Sequence, residues 1–238
     1  MSVELGPNFK RQLNRLAREW KQGEHVLVTG PTGSGKTELA RQLDEIRIQR
    51  GGHVVVFVSK LRPDETILSS YKGWTRWKKW KKRPSVADNR ILLWPGMEGK
   101  SVTAATAQMK EVFKTALDNI SSTGYWTVHL DEGLFVNSPH YLGLQNEVGM
   151  MYALMRSAKG TMITLAQRPS HLPVAIYPNL SHAFIGRSNE AADRKRLADM
   201  DGINSKELER LIMNNGKHDF TWLQIGKDRS PERVNLAE

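Results

Sequence analysis

Residues 30–37 read Gly-Pro-Thr-Gly-Ser-Gly-Lys-Thr and have the types and spacing of a phosphate-binding loop. Glycine tolerates positive φ angles and lets backbone N–H groups approach a phosphate closely. Lys36 would reach the β- and γ-phosphates of a nucleoside triphosphate, and the Thr37 hydroxyl would bind Mg²⁺. The predicted nucleotide-binding residues are Gly30, Pro31, Thr32, Gly33, Ser34, Gly35, Lys36 and Thr37.

Two carboxylates stand side by side after a predicted strand at residues 126–130. Asp131 would hold Mg²⁺ through water or through the loop hydroxyl, and Glu132 would orient and deprotonate an attacking water. Such a pair also occurs where a strand meets a polar turn, but its place downstream of a phosphate loop favours catalysis. Gln167 ends the next predicted strand, where it could hydrogen-bond the γ-phosphate or the water, or simply begin a turn.

Apolar periodicity predicts strands and helices that alternate along the chain, which is typical of a mostly parallel sheet. Strands are predicted at 25–29, 54–58, 91–94, 126–130, 161–165, 182–185 and 220–225, and helices at 7–21, 35–49, 103–120, 141–158, 189–200 and 204–214. The fold class is therefore α/β with a mostly parallel sheet. The phosphate loop between its strand and helix resembles that of P-loop NTPases of the ASCE or RecA-like type, which implies a three-layer sandwich. We expect an N-terminal amphipathic helix within 1–22, an ATPase domain over 23–226 and a flexible tail at 227–238.

A polar, basic and tryptophan-rich stretch at about 63–90 interrupts this alternation and is predicted to be an insertion. Its tryptophans recur every three residues, so they could share one helical face and stack on bases, or they could dock the insertion on the domain. Both interpretations remain open, and they are compatible. The candidate nucleic-acid contacts are Lys72, Trp74, Arg76, Trp77, Lys78, Lys79, Trp80, Lys81, Lys82 and Arg83.

Composition narrows the class of protein. The 238 residues contain 39% hydrophobic residues, no cysteine and a formal net charge of +10. The missing cysteines exclude disulfides and cysteine-ligated metals, and no apolar run is long enough to insert in a membrane. The N-terminus does not resemble a secretory signal, so we expect a cytoplasmic protein, in the host cytoplasm if it is viral. The positive charge indicates a polyanionic partner.

Several motifs together resemble the FtsK–HerA superfamily of P-loop motor ATPases. The resemblance covers about residues 23–200 and is strongest at Gln167-Arg-Pro-Ser170. The other matching features are Gly30 to Thr37, Val58-Ser-Lys60, Leu130-Asp131-Glu132, Arg156 before the strand that begins near Thr161, and the stretch from His182 to Leu197.

This resemblance implies an ATP-driven motor that translocates double-stranded DNA as a homo-oligomeric ring, a pentamer or a hexamer. It implies that Gln167 is a sensor, that Lys60 lies near the nucleotide and that Arg156 completes a neighbouring subunit's site. Arg168 is a second candidate for that arginine, and either residue could instead form surface salt bridges. The family's usual threonine is Ala166 here. Without a membrane segment or a C-terminal winged helix, the expectation is a phage or viral genome-packaging ATPase, which could dock on a portal.

Two other classes of protein remain open at this point. A P-loop nucleotide or small-molecule kinase also has a phosphate loop and a basic lid, but it seldom pairs Asp-Glu with a glutamine on the next strand. A nucleotide-gated nucleic-acid-binding or assembly protein would need little turnover, and it would tolerate Glu132→Gln.

Overall fold

The computed structural model describes residues 7–81, 85, 87–198, 204–227 and 229–236. Its strands are β1 His25–Thr29, β2 His53–Phe57, β3 Thr75–Trp77, β4 Arg90–Leu93, β5 Trp126–Leu130, β6 Thr161–Ala166, β7 Leu180–Ile185, β8 Asp219–Gln224 and β9 Glu232–Asn235. Its α-helices are α1 Pro7–Glu19, α2 Lys36–Gln49, α3 Glu65–Ser70, α4 Val102–Thr123, α5 Gly133–Asn137, α6 Gln145–Leu154, α7 Ala191–Ala198 and α8 Ser205–Met213. Two 3-10 helices span Pro169–His171 and Val174–Asn179.

The described strands form one sheet in the order β3-β4-β2-β5-β6-β1-β7-β8-β9. The strands from β3 to β7 in this order run parallel, whereas β8 and β9 are antiparallel to their neighbours. β1 lies near the middle, between β6 and β7, so the loop that follows it opens at the centre of the carboxyl edge. The predicted α/β fold with a mostly parallel sheet is confirmed.

Alternating side chains of β1 divide the core into two layers. Leu27 belongs to a large cluster that includes residues of α4 and α6, such as Phe113 and Met151. Val26 and Val28 face the other way, into a cluster with residues of α1 and α2. Both faces of the sheet are therefore covered, which explains why strands such as β2 are apolar at successive positions.

Local signals set the ends of the helices. Ser101 precedes α4 and its Oγ accepts a hydrogen bond from the N–H of Ala104 at 3.2 Å. Gly124 ends the same helix with φ +67°, a backbone conformation that glycine adopts without strain. One prediction is wrong here: the helix expected over 141–158 is only α6, because Pro139 and Gly143 (φ +61°) lie in a loop between α5 and α6.

The basic tryptophan-rich stretch is an edge of the sheet and not a single helix. Residues of β3 pair in parallel with β4, so that Trp77 lies beside Leu93. Trp77 and Trp80 are only 3% and 9% exposed. Trp80 packs edge-on against Trp126, with 5.4 Å between ring centroids. The expected helical face of tryptophans is therefore wrong, because the three-residue spacing coincides with a short strand and a turn that pack on the core.

A buried polar cluster holds the start of this stretch against the domain. The Tyr71 hydroxyl donates to Asp44 Oδ2 of α2 at 3.1 Å, and His129 Nδ1 of β5 lies 2.9 Å from the same oxygen. Burial raises the pKa of Asp44 and raises the pKa of Tyr71 well above its usual value. His129, expected to be a packed strand residue, thus has a structural partner, and α3 is tied to the helix that begins at the phosphate loop.

The C-terminal residues and the N-terminal helix both pack on the sheet. β9 pairs with β8 inside the segment for which the sequence predicts a flexible tail, so residues 232–235 are a strand instead. Phe9 and Leu16 of α1 are buried in the same cluster as Val234. Among the described helices, none combines the length and the apolar character that crossing a bilayer requires.

Candidate active site

The phosphate loop connects β1 to α2 and places Lys36 at the helix N-terminus. Lys36 Nζ donates hydrogen bonds to the backbone carbonyls of Gly30 at 2.7 Å and Pro31 at 2.9 Å. Burial lowers the pKa of Lys36, while the Glu132 carboxylate partly opposes this effect. The lysine is held inside the curve of the loop, where it can exchange these carbonyls for phosphate oxygens.

Backbone geometry makes the loop a concave anion cradle. Gly33 and Gly35 adopt φ angles of +77° and +95°, which residues with a Cβ rarely adopt. The N–H groups of Thr32, Gly33 and Gly35 have no acceptor among the residues that the structure describes. These donors, together with the positive end of α2, suit a phosphate chain.

Asp131 leaves β5 at the same edge of the sheet, beside the end of β2. Its Oδ1 accepts hydrogen bonds from both the backbone N–H of Ser59, at 2.9 Å, and the Ser59 hydroxyl. Its Oδ2 is buried and has no partner in the described part of the chain. Burial raises the pKa of Asp131, and the bonds from Ser59 oppose that rise. One oxygen is thus fixed by the protein and the other is left to bind a ligand.

Glu132 is linked to the phosphate loop through Gln167. Gln167 Nε2 donates to Glu132 Oε2 at 3.1 Å, and the Thr32 hydroxyl donates to Gln167 Oε1 at 3.2 Å. Burial raises the pKa of Glu132, although Gln167 opposes the rise. A carboxylate with a raised pKa is a better proton acceptor once it is ionised. The glutamine predicted from its place at the end of β6 therefore contacts both the loop and the acid.

A cleft of about 690 Å³ joins these groups. Lys36, Thr37, Asp131, Glu132 and Gln167 all line it. Lys60 lies on its wall, as the resemblance implies, and its Nζ is 4.0 Å from Asp64 Oδ2. Asp64 and the residues of α3 form the far wall. Sequence reasoning missed this wall because it treated residues 63–90 as an insertion and gave them no part in the nucleotide site.

The cleft contains a set of oxygen atoms that could bind Mg²⁺, at Asp131 and Thr37. The unpartnered Oδ2 of Asp131 and the Thr37 hydroxyl line the same cleft, and both are hard oxygen ligands. No cluster of three or more histidine, aspartate or glutamate side chains in the described residues could hold a metal by itself. The donor set therefore matches a cation that is held partly by phosphate oxygens.

The two candidate arginines lie in different places. Arg156 is exposed in the turn after α6, and its carbonyl approaches Gly23 just before β1. It therefore lies at the amino end of β1, about 16 Å from the phosphate loop for a strand of this length. Arg168 follows Gln167 and forms ion pairs with Glu190 at 3.3 Å and Asp193 at 3.5 Å. The structure does not bring Arg156 to the cleft of its own chain.

The candidate nucleic-acid residues divide into a buried set and an exposed set. Trp77 and Trp80 are buried and their rings pack in the core, which agrees with the open alternative that they dock the segment on the domain and argues against their stacking on bases. Arg76 donates to the Trp94 carbonyl at 3.0 Å and pairs with Glu98 at 3.2 Å, so it also braces the fold. Lys72, Lys78, Lys79 and Lys81 are exposed, Trp74 is half-buried, and Lys82 and Arg83 lie outside the described residues.

Besides the far wall, other residues near the cleft escaped prediction, among them Ser59, His218 and Leu236. Ser59 is part of the matched Val58-Ser-Lys60 stretch, and its position at the end of a strand was the available signal. His218 and Leu236 line the cleft from the C-terminal strands. Nothing in the sequence pattern connects these two residues with a loop that lies far upstream, at residues 30–37.

Known structures resemble this chain along most of its length. The genome packaging NTPase B204 from Sulfolobus turreted icosahedral virus 2, in complex with ATP-gammaS, gives a TM-score of 0.58 at 12% identity, covering 90% of this chain and 98% of that chain. VirB4 of Thermoanaerobacter pseudethanolicus gives 0.62 at 8% identity, covering 89% and 88%. The cytoplasmic domain of the Thermomonospora curvata type VII secretion ATPase EccC gives 0.59 at 16% identity, covering 91% and 26%.

These likenesses show a shared fold and agree with the resemblance to FtsK–HerA motor ATPases drawn from the motifs. No protein-family model matches the chain, and no curated protein matches its sequence.

Proposed function

We propose that this chain is an ATP-hydrolysing motor that binds and translocates double-stranded DNA, in the manner of a viral genome-packaging ATPase. The observation that carries the proposal is that Lys36, Asp131, Glu132 and Gln167 line one cleft at the carboxyl edge of the sheet. B204, a genome packaging NTPase, shares the fold over nearly its whole length, and it was captured with an ATP analogue.

The residues supply the parts that hydrolysis requires. In the proposed reaction a water oxygen bonds to the γ-phosphorus, the bond from that phosphorus to the β–γ bridging oxygen breaks, and the water's proton passes to Glu132. Gln167 holds Glu132 and can orient the water, while Lys36 neutralises charge on the β- and γ-phosphates. Asp131 and Thr37 would hold Mg²⁺, which supplies further charge neutralisation when it is bound. A carboxylate paired with a glutamine suits attack by water better than transfer to a substrate hydroxyl.

Charge and placement support the polyanionic partner and the ring. The chain carries a net charge of +10, and several exposed lysines lie along the insertion. Lysines that neutralise phosphates bind duplex DNA without regard to its sequence. Arg156, if it acts in catalysis, must serve the cleft of another copy, which requires a homo-oligomer such as a pentameric or hexameric ring.

The test is ATP hydrolysis measured with and without double-stranded DNA. We expect DNA to stimulate phosphate release, Lys36→Ala to reduce it by about 10²-fold or more, and Glu132→Gln to bind ATP yet turn it over at least about 10²-fold more slowly. Lys10→Ala, a matched loss of an exposed lysine on α1, should behave as the unaltered protein.

Normal turnover by Lys36→Ala would overturn the assignment of the site. Transfer of phosphate to a nucleoside, without release of inorganic phosphate, would favour a kinase instead. If DNA does not change the rate of ATP hydrolysis at any salt concentration, the protein is an ATPase but the proposal of a DNA motor is contradicted.

A further inference from the structure

Two residues from the C-terminal strands form a wall directly on the phosphate loop. Leu236 follows β9 and is 1% exposed, and its N–H donates to the carbonyl of His218 at 3.2 Å. A Cβ placed on Gly35 would lie 2.6 Å from Leu236 Cδ1 and 3.6 Å from His218 Nδ1. The glycine at position 35 therefore allows this leucine to rest on the loop, and both side chains line the cleft.

The order of the strands gives the cleft a direction. β5 and β6, which end in Glu132 and Gln167, lie on one side of β1, and β7, β8 and β9 lie on the other. The hydrolytic residues mark the γ-phosphate end of a bound triphosphate. Because the phosphates cross the N-terminus of α2, the nucleoside must leave the loop on the opposite side, towards His218 and Leu236.

The chemistry of the two ends of the cleft agrees with this direction. The wall beyond Asp131 is polar and acidic, and it includes Asp64 and Glu65. The wall at β8 and β9 offers a leucine side chain and an imidazole ring. Contact with apolar and aromatic groups stabilises a bound planar base, whereas it does not stabilise a bound phosphate.

We propose that His218 and Leu236 form the subsite for the purine base of the nucleotide, so that the C-terminal strands are part of the nucleotide site. His218 packs against one edge or face of the base, and Leu236 supports it from the phosphate loop. This inference rests on the proposed function, because it presumes that the loop binds the triphosphate of a nucleotide.

The test separates the base from the phosphates by comparing two ligands. ATP contains both parts, whereas inorganic tripolyphosphate contains the phosphates alone. Binding of each ligand with Mg²⁺ is measured by calorimetry for the unaltered protein, His218→Ala, Leu236→Ala and Leu236→Met. We expect His218→Ala and Leu236→Ala each to weaken ATP binding by about tenfold, the effect of losing one stacking or packing contact, with little change for tripolyphosphate.

Controls distinguish a lost contact from a damaged fold. His140→Ala removes an exposed histidine outside the cleft, and it should bind both ligands as the unaltered protein does. Thermal melting reports whether each variant folds. If Leu236→Ala does not fold, His218→Ala and the volume-conserving Leu236→Met decide the question, since His218 is only half-buried.

The possible outcomes lead to different conclusions. If ATP and tripolyphosphate weaken equally in folded variants, the two residues merely shape the loop and the base subsite is wrong. Unchanged ATP binding in both folded alanine variants would also overturn it. If the unaltered protein binds neither ligand, the proposed function itself fails. If Lys36→Ala weakens the binding of both ligands while His218→Ala weakens the binding of ATP alone, both proposals are supported.

Discussion

At the scale of single residues, the site depends on how its two carboxylates are held. Asp131 has one oxygen fixed by Ser59 and the other free of protein partners among the described residues, while Glu132 is held by Gln167. These arrangements agree with the different tasks that we propose for the two acids. A fixed carboxylate with one open oxygen suits a cation, and a carboxylate with a raised pKa that is held by a side-chain amide suits proton transfer.

Ser59 is expected to control the affinity for Mg²⁺ through its bonds to Asp131. Ser59→Ala removes the hydroxyl donor and leaves the backbone N–H, so the carboxylate keeps one of its two supports. Loss of such a supporting bond typically weakens metal binding by about tenfold or more. We expect the Mg²⁺ concentration for half-maximal ATPase activity to rise by about that factor at saturating nucleotide.

Ser69→Ala is the matched control for this change. Ser69 lines the same cleft, but its hydroxyl donates to the Thr66 carbonyl and makes no contact with Asp131. In Ser69→Ala, the Mg²⁺ concentration for half-maximal ATPase activity should stay unchanged. An equal Mg²⁺ requirement in Ser59→Ala and in the unaltered protein would show that the Ser59 hydroxyl does not prepare Asp131 for the metal.

The sequence predicts the phosphate loop, the two carboxylates and the glutamine of the cleft, because their placement follows from local rules. The phosphate loop is one continuous segment, and Asp131, Glu132 and Gln167 come directly after strands whose carboxyl ends meet at one edge. Leu236 could not be assigned in this way, and the position of Ser59 after a strand did not by itself connect it with Asp131. Their roles depend on which strands are neighbours in the sheet. The spacing of residues along the chain does not predict that order.

At the scale of elements, the basic segment combines a packed side and a solvent-exposed side. Trp77 and Trp80 point into the core, while Lys78, Lys79 and Lys81 are exposed between and beyond them. Lys78 Nζ lies 3.0 Å from Glu98, and Lys81 lies over the ring of Trp77 at 4.4 Å from its centroid. The tryptophans thus anchor a segment in which the lysines that follow β3 face water, where a phosphate backbone could reach them.

Removing these lysines tests the segment as a DNA contact. In the triple variant Lys78→Ala, Lys79→Ala and Lys81→Ala, duplex binding should weaken and depend less on salt. Each lost phosphate contact reduces the slope of log K against log salt by about 0.9, so the slope should fall by roughly 2 to 3. The measurement is fluorescence anisotropy of a labelled duplex over a range of salt concentrations.

A control with equal loss of charge separates local contact from general attraction. Lys10→Ala, Lys195→Ala and Lys206→Ala remove three exposed lysines from α1, α7 and α8. In this control, the slope of log K against log salt should stay nearly as steep as in the unaltered protein. If both triple variants lose the same slope, only net charge attracts DNA, and the segment has a structural role.

The secondary structure of this segment shows where pattern reasoning stops. Tryptophans at every third position predict a helical face, yet Trp77 lies in a strand because it packs with Trp80 and, through it, with Trp126. Tertiary contacts also outweigh the local pattern at the C-terminus. There a polar stretch forms β9 because it can pair with β8, a strand that is otherwise unpaired on that side of the described sheet. Long elements such as α4, with strong periodicity and a serine cap, were predicted closely, since their signals are local.

At the scale of the whole molecule, the two ends of the parallel sheet carry different functional groups. The phosphate loop, Asp131 and Glu132 are at the carboxyl edge, whereas Arg156 lies near the amino end of β1. If Arg156 takes part in catalysis, as we propose, it has to serve the cleft of another copy. Two unlike surfaces would then meet in each contact, and repeated contacts of this kind close into a ring or extend as a filament.

Mixing two inactive variants tests this arrangement. In an assembly of Arg156→Ala and Lys36→Ala chains, a cleft with an intact lysine can lie beside a neighbour with an intact arginine. In an equal mixture, roughly a quarter of the contacts would have this composition. We expect each variant alone to be nearly inactive in ATP hydrolysis, and the mixture to recover a measurable part of the activity of the unaltered protein.

The same experiment with Arg168→Ala distinguishes the second candidate. Arg168 is next to Gln167 and is already paired with Glu190 and Asp193, so its loss should damage the cleft of its own chain. Mixing Arg168→Ala with Lys36→Ala should therefore restore nothing, because no cleft in that mixture has both its own Lys36 and its own Arg168. Rescue by Arg168→Ala and not by Arg156→Ala would exchange the roles of the two arginines and would move the contact between copies to the carboxyl edge of the sheet.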